Sequence, residues 1–178
     1  HMLSNKEKII FSEIQNILIT TFKKSPALVN QFNHFNQSPL GFAVKSGFVE
    51  LARFFLEHGA DVKLKHEDKP ILYWALRSKN LEIVKLLIQN GADPYEMIEN
   101  RSLLFYAIHF STDEIANLFV ELGAFGSMLE LSDRDENLLI NAARFEMPQT
   151  TESLVERELF NPNLKDLDEK NVLTTLIE

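Results

Sequence analysis

Cysteine is absent from the chain, which excludes a disulfide framework and any thiolate metal site and suits a reducing compartment. A cytoplasmic location is therefore expected. Long apolar runs are missing too, so no membrane-spanning helix is expected. Cations are scarce, with 18 Lys and Arg against 26 Asp and Glu and a formal net charge of −8. Binding a nucleic-acid backbone requires clustered Lys and Arg to displace counterions, so nucleic acid is not an expected partner. His1 and Met2 read as a cloning remnant, and the charged Lys6, Glu7, Lys8 and Glu13 that follow do not form a signal peptide. What is present is 45% hydrophobic residues in 178, enough for one folded domain or one repeat array and too many for disorder.

Catalytic signatures are missing as well. There is no G-x-S-x-G elbow, no Walker loop and no H-E-x-x-H, so no enzyme activity, catalytic residue or cofactor is expected. "GAFGS" at 123–127 follows a helix, where a phosphate loop precedes one. His34, His58, His66 and His109 lack the spacing of metal ligands, and "SDRDEN" lacks the spaced oxygens and glycine of a calcium loop, so no metal is expected. His58, just before Gly59, is placed to cap the last carbonyls of its helix.

A repeat organises the rest. Gly59, Gly91 and Gly123 stand 32 residues apart, as do Leu40, Leu72 and Leu104, and Ala43, Ala75 and Ala107. Three landmarks in one register signal a solenoid. In the first copy Ser38 can cap a helix that Pro39 opens, and Leu40, Ala43 and Val44 form a narrow apolar stripe. Gly47 ends it. A second helix, "FVELARFFLEHG", runs to Gly59, which supplies a left-handed terminus. Each unit is thus helix, turn, helix and protruding turn.

These residues resemble the ankyrin-repeat family. "SPLGFAVKSGFVELARFFLEHGADV" at 38–62 is similar to its T-P-L-H-x-A-x-x-x-G opening, its I/L-V-x-x-L-L helix and its G-A-D-V turn. "ILYWALRSKNLEIVKLLIQNGADP" keeps the framework with Pro70 and Ile71 at the Thr-Pro place, and "LLFYAIHFSTDEIANLFVELGAF" is more worn. The resemblance implies an all-α solenoid of paired short antiparallel helices joined by protruding turns. The expected units are a degenerate N-terminal cap at 3–35, repeats at 36–67, 68–100 and 101–136, an irregular repeat at 137–170, and the start of another repeat or a C-terminal cap at 171–178. The cap carries an apolar stripe of Ile10, Ile14, Ile17, Leu18 and Phe22. In the irregular unit Leu139 and Ala142 take the landmark places, and "EMPQTT" reads as a lengthened internal turn. The final "NVLTTLIE" suggests a piece of a longer protein. An Asn that some family members carry after G-A-D-V for hydroxylation is replaced by Lys63, Tyr95 and Ser127, so that modification is not implied.

The family holds other proteins on the concave side formed by its first helices and turns. Two positions after the opening Leu stand Phe42, Trp74, Tyr106 and Asn141. Five positions after stand Lys45, Arg77, His109 and Arg144, and six after stand Ser46, Ser78, Phe110 and Phe145. A basic ridge beside an aromatic row predicts a protein partner, acidic or phosphorylated, gripped by Lys45, Arg77 and Arg144 and anchored on Trp74, Tyr106 and Phe110, with His109 and Phe145 as further candidate contacts. The bland alternative is a solvated cationic face over partly buried rings. The turn tips form a second surface: Lys63, Lys65 and Lys69 on one, and Tyr95, Met97 and Ile98 on the next, whose apolar side chains either meet a partner or tuck against the neighbouring turn. "GSMLELSDRDEN" is three residues longer and could form a partner-specific finger or a local cover. The expected function is a monomeric, non-enzymatic interaction scaffold or adaptor. The alternative is the targeting domain of a larger enzyme, or a bacterial effector acting in the host cytosol.

Overall fold

The computed structural model describes residues 13, 17, 20–21, 24–125 and 138–157. After a 3-10 turn at Pro26–Asn30 come four helix pairs: α1 (Pro39–Lys45) with α2 (Val49–Glu57), α3 (Ile71–Ser78) with α4 (Leu81–Gln89), α5 (Leu103–Phe110) with α6 (Asp113–Glu121), and α7 (Leu138–Arg144) with α8 (Pro148–Glu156). First helices touch first helices in the order α1, α3, α5, α7, and second helices touch second helices in the order α2, α4, α6, α8. The result is two parallel layers, with the apolar core between them.

The landmarks explain the layers. Leu40, Leu72, Leu104 and Leu139 are buried, and so are Ala43, Ala75, Ala107 and Ala142. The alanines carry too little bulk to hold adjacent first helices apart. Second helices contribute Ala52 and Phe55, Ile83 and Leu87, Ile115 and Phe119, and Leu154. No single pair could bury its apolar face against an ordering cost of roughly 1–2 kcal/mol per residue, and stacking supplies the missing surface.

The recurrent Gly-Ala is a helix stop. Gly59, Gly91 and Gly123 adopt φ of 85°, 91° and 70°. The following Ala60, Ala92 and Ala124 amides return to the carbonyls of Phe55, Leu87 and Phe119 at 2.9, 3.0 and 3.0 Å, the six-to-one bond of a left-handed helix terminus. Ser38 Oγ accepts from Gly41 N at 3.0 Å, so the expected cap forms, and His58 Nδ1 meets Phe54 O at 2.8 Å.

Two expectations need correction. "EMPQTT" does not lengthen the internal turn of the fourth pair: Pro148 opens α8, and only Phe145, Glu146 and Met147 separate it from α7. Proline suits the first helical position because the N–H it lacks would have no intrahelical partner there. Ile17, assigned to an apolar stripe, is 66% exposed. Its companions Ile10, Ile14, Leu18 and Phe22, the long segment with Met128, Leu129, Leu131 and its acidic cluster, and the 171–178 tail lie outside the described residues.

Candidate protein-interaction surface

The two protruding turns among the described residues are two-residue hairpins. Met97–Ile98 (β1) pairs antiparallel with Arg101–Ser102 (β2) around Glu99 and Asn100, and His66 bridges Lys69 around Glu67 and Asp68 in the same register. All four tip residues have positive φ, between 49° and 62°, as the twist of a tight hairpin demands. The aromatic row ties each hairpin to the first helix behind it. Trp74 Nε1 donates to His66 O at 2.7 Å, and 32 residues on, Tyr106 Oη donates to Ile98 O at 3.2 Å. Both rings are half-buried, whereas Phe42 is 53% exposed and Asn141 is buried.

The five-after row is not a uniform basic ridge. Lys45 Nζ lies 2.8 and 2.9 Å from the two carboxylate oxygens of Glu67, and 4.2 Å from the Trp74 ring centre. The bond to Lys45, helped by Gln37, holds the Glu67 carboxyl below its ordinary range. His109 lies stacked on Phe105 with centres 4.1 Å apart, and its Nδ1–H donates to Phe105 O. Burial lowers its pKa against the raising effect of that bond, and Arg101 and Arg144 lower it further, so the ring favours the neutral form. Arg77 is exposed, 5.9 Å from the Tyr73 ring centre and 5.3 Å from that of Phe110. Arg144 is exposed at the end of α7.

The rings form a continuous belt along the first helices. Trp74 meets Tyr73, Tyr73 meets Tyr106 and Phe110, Tyr106 meets Phe105, Phe105 meets His109, and His109 meets Phe145, with centres 4.1 to 6.2 Å apart. Phe145 closes the belt at 45% exposure. At the turn tips Tyr95 is 57% exposed, but its hydroxyl donates to Leu122 O at 2.8 Å; Met97 is exposed and Ile98 is buried. Lys69 bonds Glu99 on the next hairpin at 2.5 Å, so of the three turn lysines Lys63 and Lys65 stay exposed.

The model of ankyrin repeats in three copies matches residues 10–98. The chain belongs to the ankyrin-repeat family. Helix pairs α5–α6 and α7–α8 extend the same stack beyond the matched residues. Ankyrin repeats are in general protein–protein interaction modules. No curated protein matches this chain. Among the described residues no helix is long and apolar enough to cross a membrane, and no group of three or more His, Cys, Asp or Glu is placed to hold a metal ion.

Three features of this ankyrin surface escaped the sequence reading. Gly41, Tyr73 and Phe105 occupy one register position: two carry belt rings, and the first carries no side chain. The third is His66, whose fully buried ring fills the space at Gly41, where an added Cβ would stand 2.1 Å from its Nδ1. His66 Nδ1 accepts from Ser38 N at 3.1 Å, so its proton resides on Nε2, which has no hydrogen-bond partner; Glu67 Oε1 is 3.8 Å away. The lone glycine in a row that otherwise holds Tyr73, Phe105 and Ile140 was the available signal.

Proposed function

We propose that this ankyrin array is a non-enzymatic adaptor that holds a segment of a partner protein along its concave side. The observation that carries the reading is the ring belt from Trp74 to Phe145, which offers partly exposed apolar surface across three successive repeats. Aromatic side chains give contact area at little conformational cost and dominate binding energetics when a partner covers them. Phe110, Phe145 and the outer faces of Trp74 and Tyr106 serve as anchors, with Tyr95 and Met97 as a second contact on the turn. Arg77 and Arg144 favour an acidic or phosphorylated segment, while Lys45 and His109 shape the floor of the groove. The adaptor works as a monomer in the cytoplasm.

The test is a quantitative capture from eukaryotic cytosol with the bound protein identified by mass spectrometry and then purified for direct titration. Parent chain, a Phe110→Ala, Phe145→Ala groove variant and a Glu82→Lys, Lys85→Glu variant of the second-helix layer are compared once circular dichroism shows all three folded. The groove variant should bind about tenfold weaker or worse, and the other variant as the parent does. Equal loss in both, or in neither, overturns the concave-side reading.

A further inference from the structure

Arg77 stands apart from the paired cations of the array. Lys45 is bonded to Glu67, Lys69 to Glu99 and Arg53 to Glu82. Arg77 has no carboxylate within salt-bridge distance among the described residues. Its Nη1 donates to Tyr73 Oη at 3.3 Å, and its guanidinium lies against the Tyr73 and Phe110 rings. Two rings and a hydroxyl lie against one side of the group, and its remaining N–H groups are left for an incoming acceptor. A planar guanidinium fork matches a carboxylate through two parallel hydrogen bonds, and holding it in advance removes part of the ordering cost of binding.

Charge matching narrows the ligand. A phosphate dianion calls for more than one cation, yet the row members on either side are already engaged: Lys45 is paired with Glu67, and the His109 ring is stacked on Phe105 with its Nδ1–H given to Phe105 O. A single side-chain carboxylate balances a single guanidinium. We propose that Arg77 is a preorganised receptor for one Asp or Glu side chain of the partner segment, with the adjacent apolar residue of that segment seated on Phe110. This rests on the concave-side reading and refines it, since it selects carboxylate over phosphate and assigns that contact to Arg77.

The experiment is a selection of displayed random short peptides on the parent chain. Enriched sequences are then synthesised and titrated by the fluorescence of Trp74, the only tryptophan. The proposal expects enriched peptides to share one Asp or Glu beside an apolar residue. Arg77→Gln, or changing the peptide acid to its amide, should each weaken binding by about tenfold, and both together by no more than either alone. Phosphoserine in place of the acid should bind no tighter. Arg77 is exposed, so the variant should keep its thermal midpoint. Enrichment without a shared acid, tighter phosphoserine binding or an indifferent Arg77→Gln overturns the proposal. If Phe110→Ala weakens binding and Arg77→Gln does not, the groove reading stands while the carboxylate receptor falls. If neither variant weakens it, both fall.

Discussion

Between α1 and α3 the stack is held by a neutral imidazole pressed into a helix that offers no Cβ, whereas between α6 and α8 it is held by a carboxylate reaching across to the backbone of the next helix. In the first junction His66 lies over Gly41 and accepts from Ser38 N, while Trp74 grips the His66 carbonyl. In the second, Asp113 accepts from Gln149 N and Thr150 N at 2.9 Å each and from Thr150 Oγ1 at 2.7 Å. Helix α8 lacks a side-chain cap of its own at Met147, so the preceding unit provides one. One repeat register therefore fixes where helices meet without fixing the chemistry that locks them. The first lock depends on a small residue and a protonation state, and the second on a single acceptor.

The largest effect should come from Gly41→Ala. The new Cβ would lie 2.1 to 2.5 Å from His66 Nδ1, Cγ and Cβ. The hairpin bonds at His66 N and O keep the ring from swinging clear. Overpacking together with loss of the Ser38 N–H acceptor should cost about 3 kcal/mol or more, read from urea denaturation. His66→Ala alone should cost about 2–3 kcal/mol. The double variant should cost less than the sum by about 1 kcal/mol or more, since the added methyl then enters vacated space. Additive losses would mean that Gly41 and His66 are not partners.

Asp113→Ala attacks the other lock. Losing the cap of α8 should cost about 1–2 kcal/mol, and the buried Thr150 hydroxyl would lose the shorter of its two acceptors, keeping only Asp113 O at 3.2 Å. Because interactions in a solenoid are between neighbours, the loss should stay local. Hydrogen exchange should quicken at the Gln149 and Thr150 amides and remain unchanged in α1 and α3. Uniform quickening would show that the two junctions unfold as one.

The framework was legible because it is periodic, and the locks were not because they are pairwise. Leu40, Ala43 and Gly59 announced their roles by recurring at 32 residues, and the Gly-Ala pair marked each helix terminus. His66 is one of several scattered histidines in the sequence, and nothing local links it to Gly41. Lys45 looked like a free groove cation because a row of residue types does not show that Glu67, on the following hairpin, neutralises it. Pro148 starts α8 instead of lengthening the turn before it, and the Asp113 carboxylate of the previous unit caps the helix it opens. Tyr73 and Phe105 stand one position after the leucine, outside the rows two, five and six after it that carry the basic and aromatic pattern.

Acidification should weaken the first junction through a smaller effect. Burial lowers the His66 pKa, with Lys45 in the same direction and Glu67 opposing. The unfolded imidazole takes up its proton near its ordinary value of about 6.5 while the folded one resists. Stability is then full above that value and falls as the pH drops through the lowered folded pKa. A proton on Nδ1 would also point at the Ser38 N–H that it now accepts from. His109 shifts in the same direction by burial. His66→Asn, which keeps an acceptor, should therefore be less stable at neutral pH but lose less on acidification. An unchanged slope would assign the pH dependence to His109.

The smallest effect should be found on the second-helix layer, where Arg53 Nη2 of α2 meets Glu82 Oε1 of α4 at 2.8 Å. This bond joins the same two repeats as the His66 lock, and its length alone would rank it among the strongest contacts of the junction. Exposure reverses that ranking, because the two side chains are 41% and 60% accessible. Water and salt screen such a pair, and ordering two long side chains offsets much of the attraction. A double-mutant cycle of Arg53→Ala and Glu82→Ala should give a coupling within about 0.5 kcal/mol that shrinks as salt rises. A salt-independent coupling above about 1 kcal/mol would place the lock of this junction in the outer layer and would reduce the Gly41–His66 contact to a packing detail.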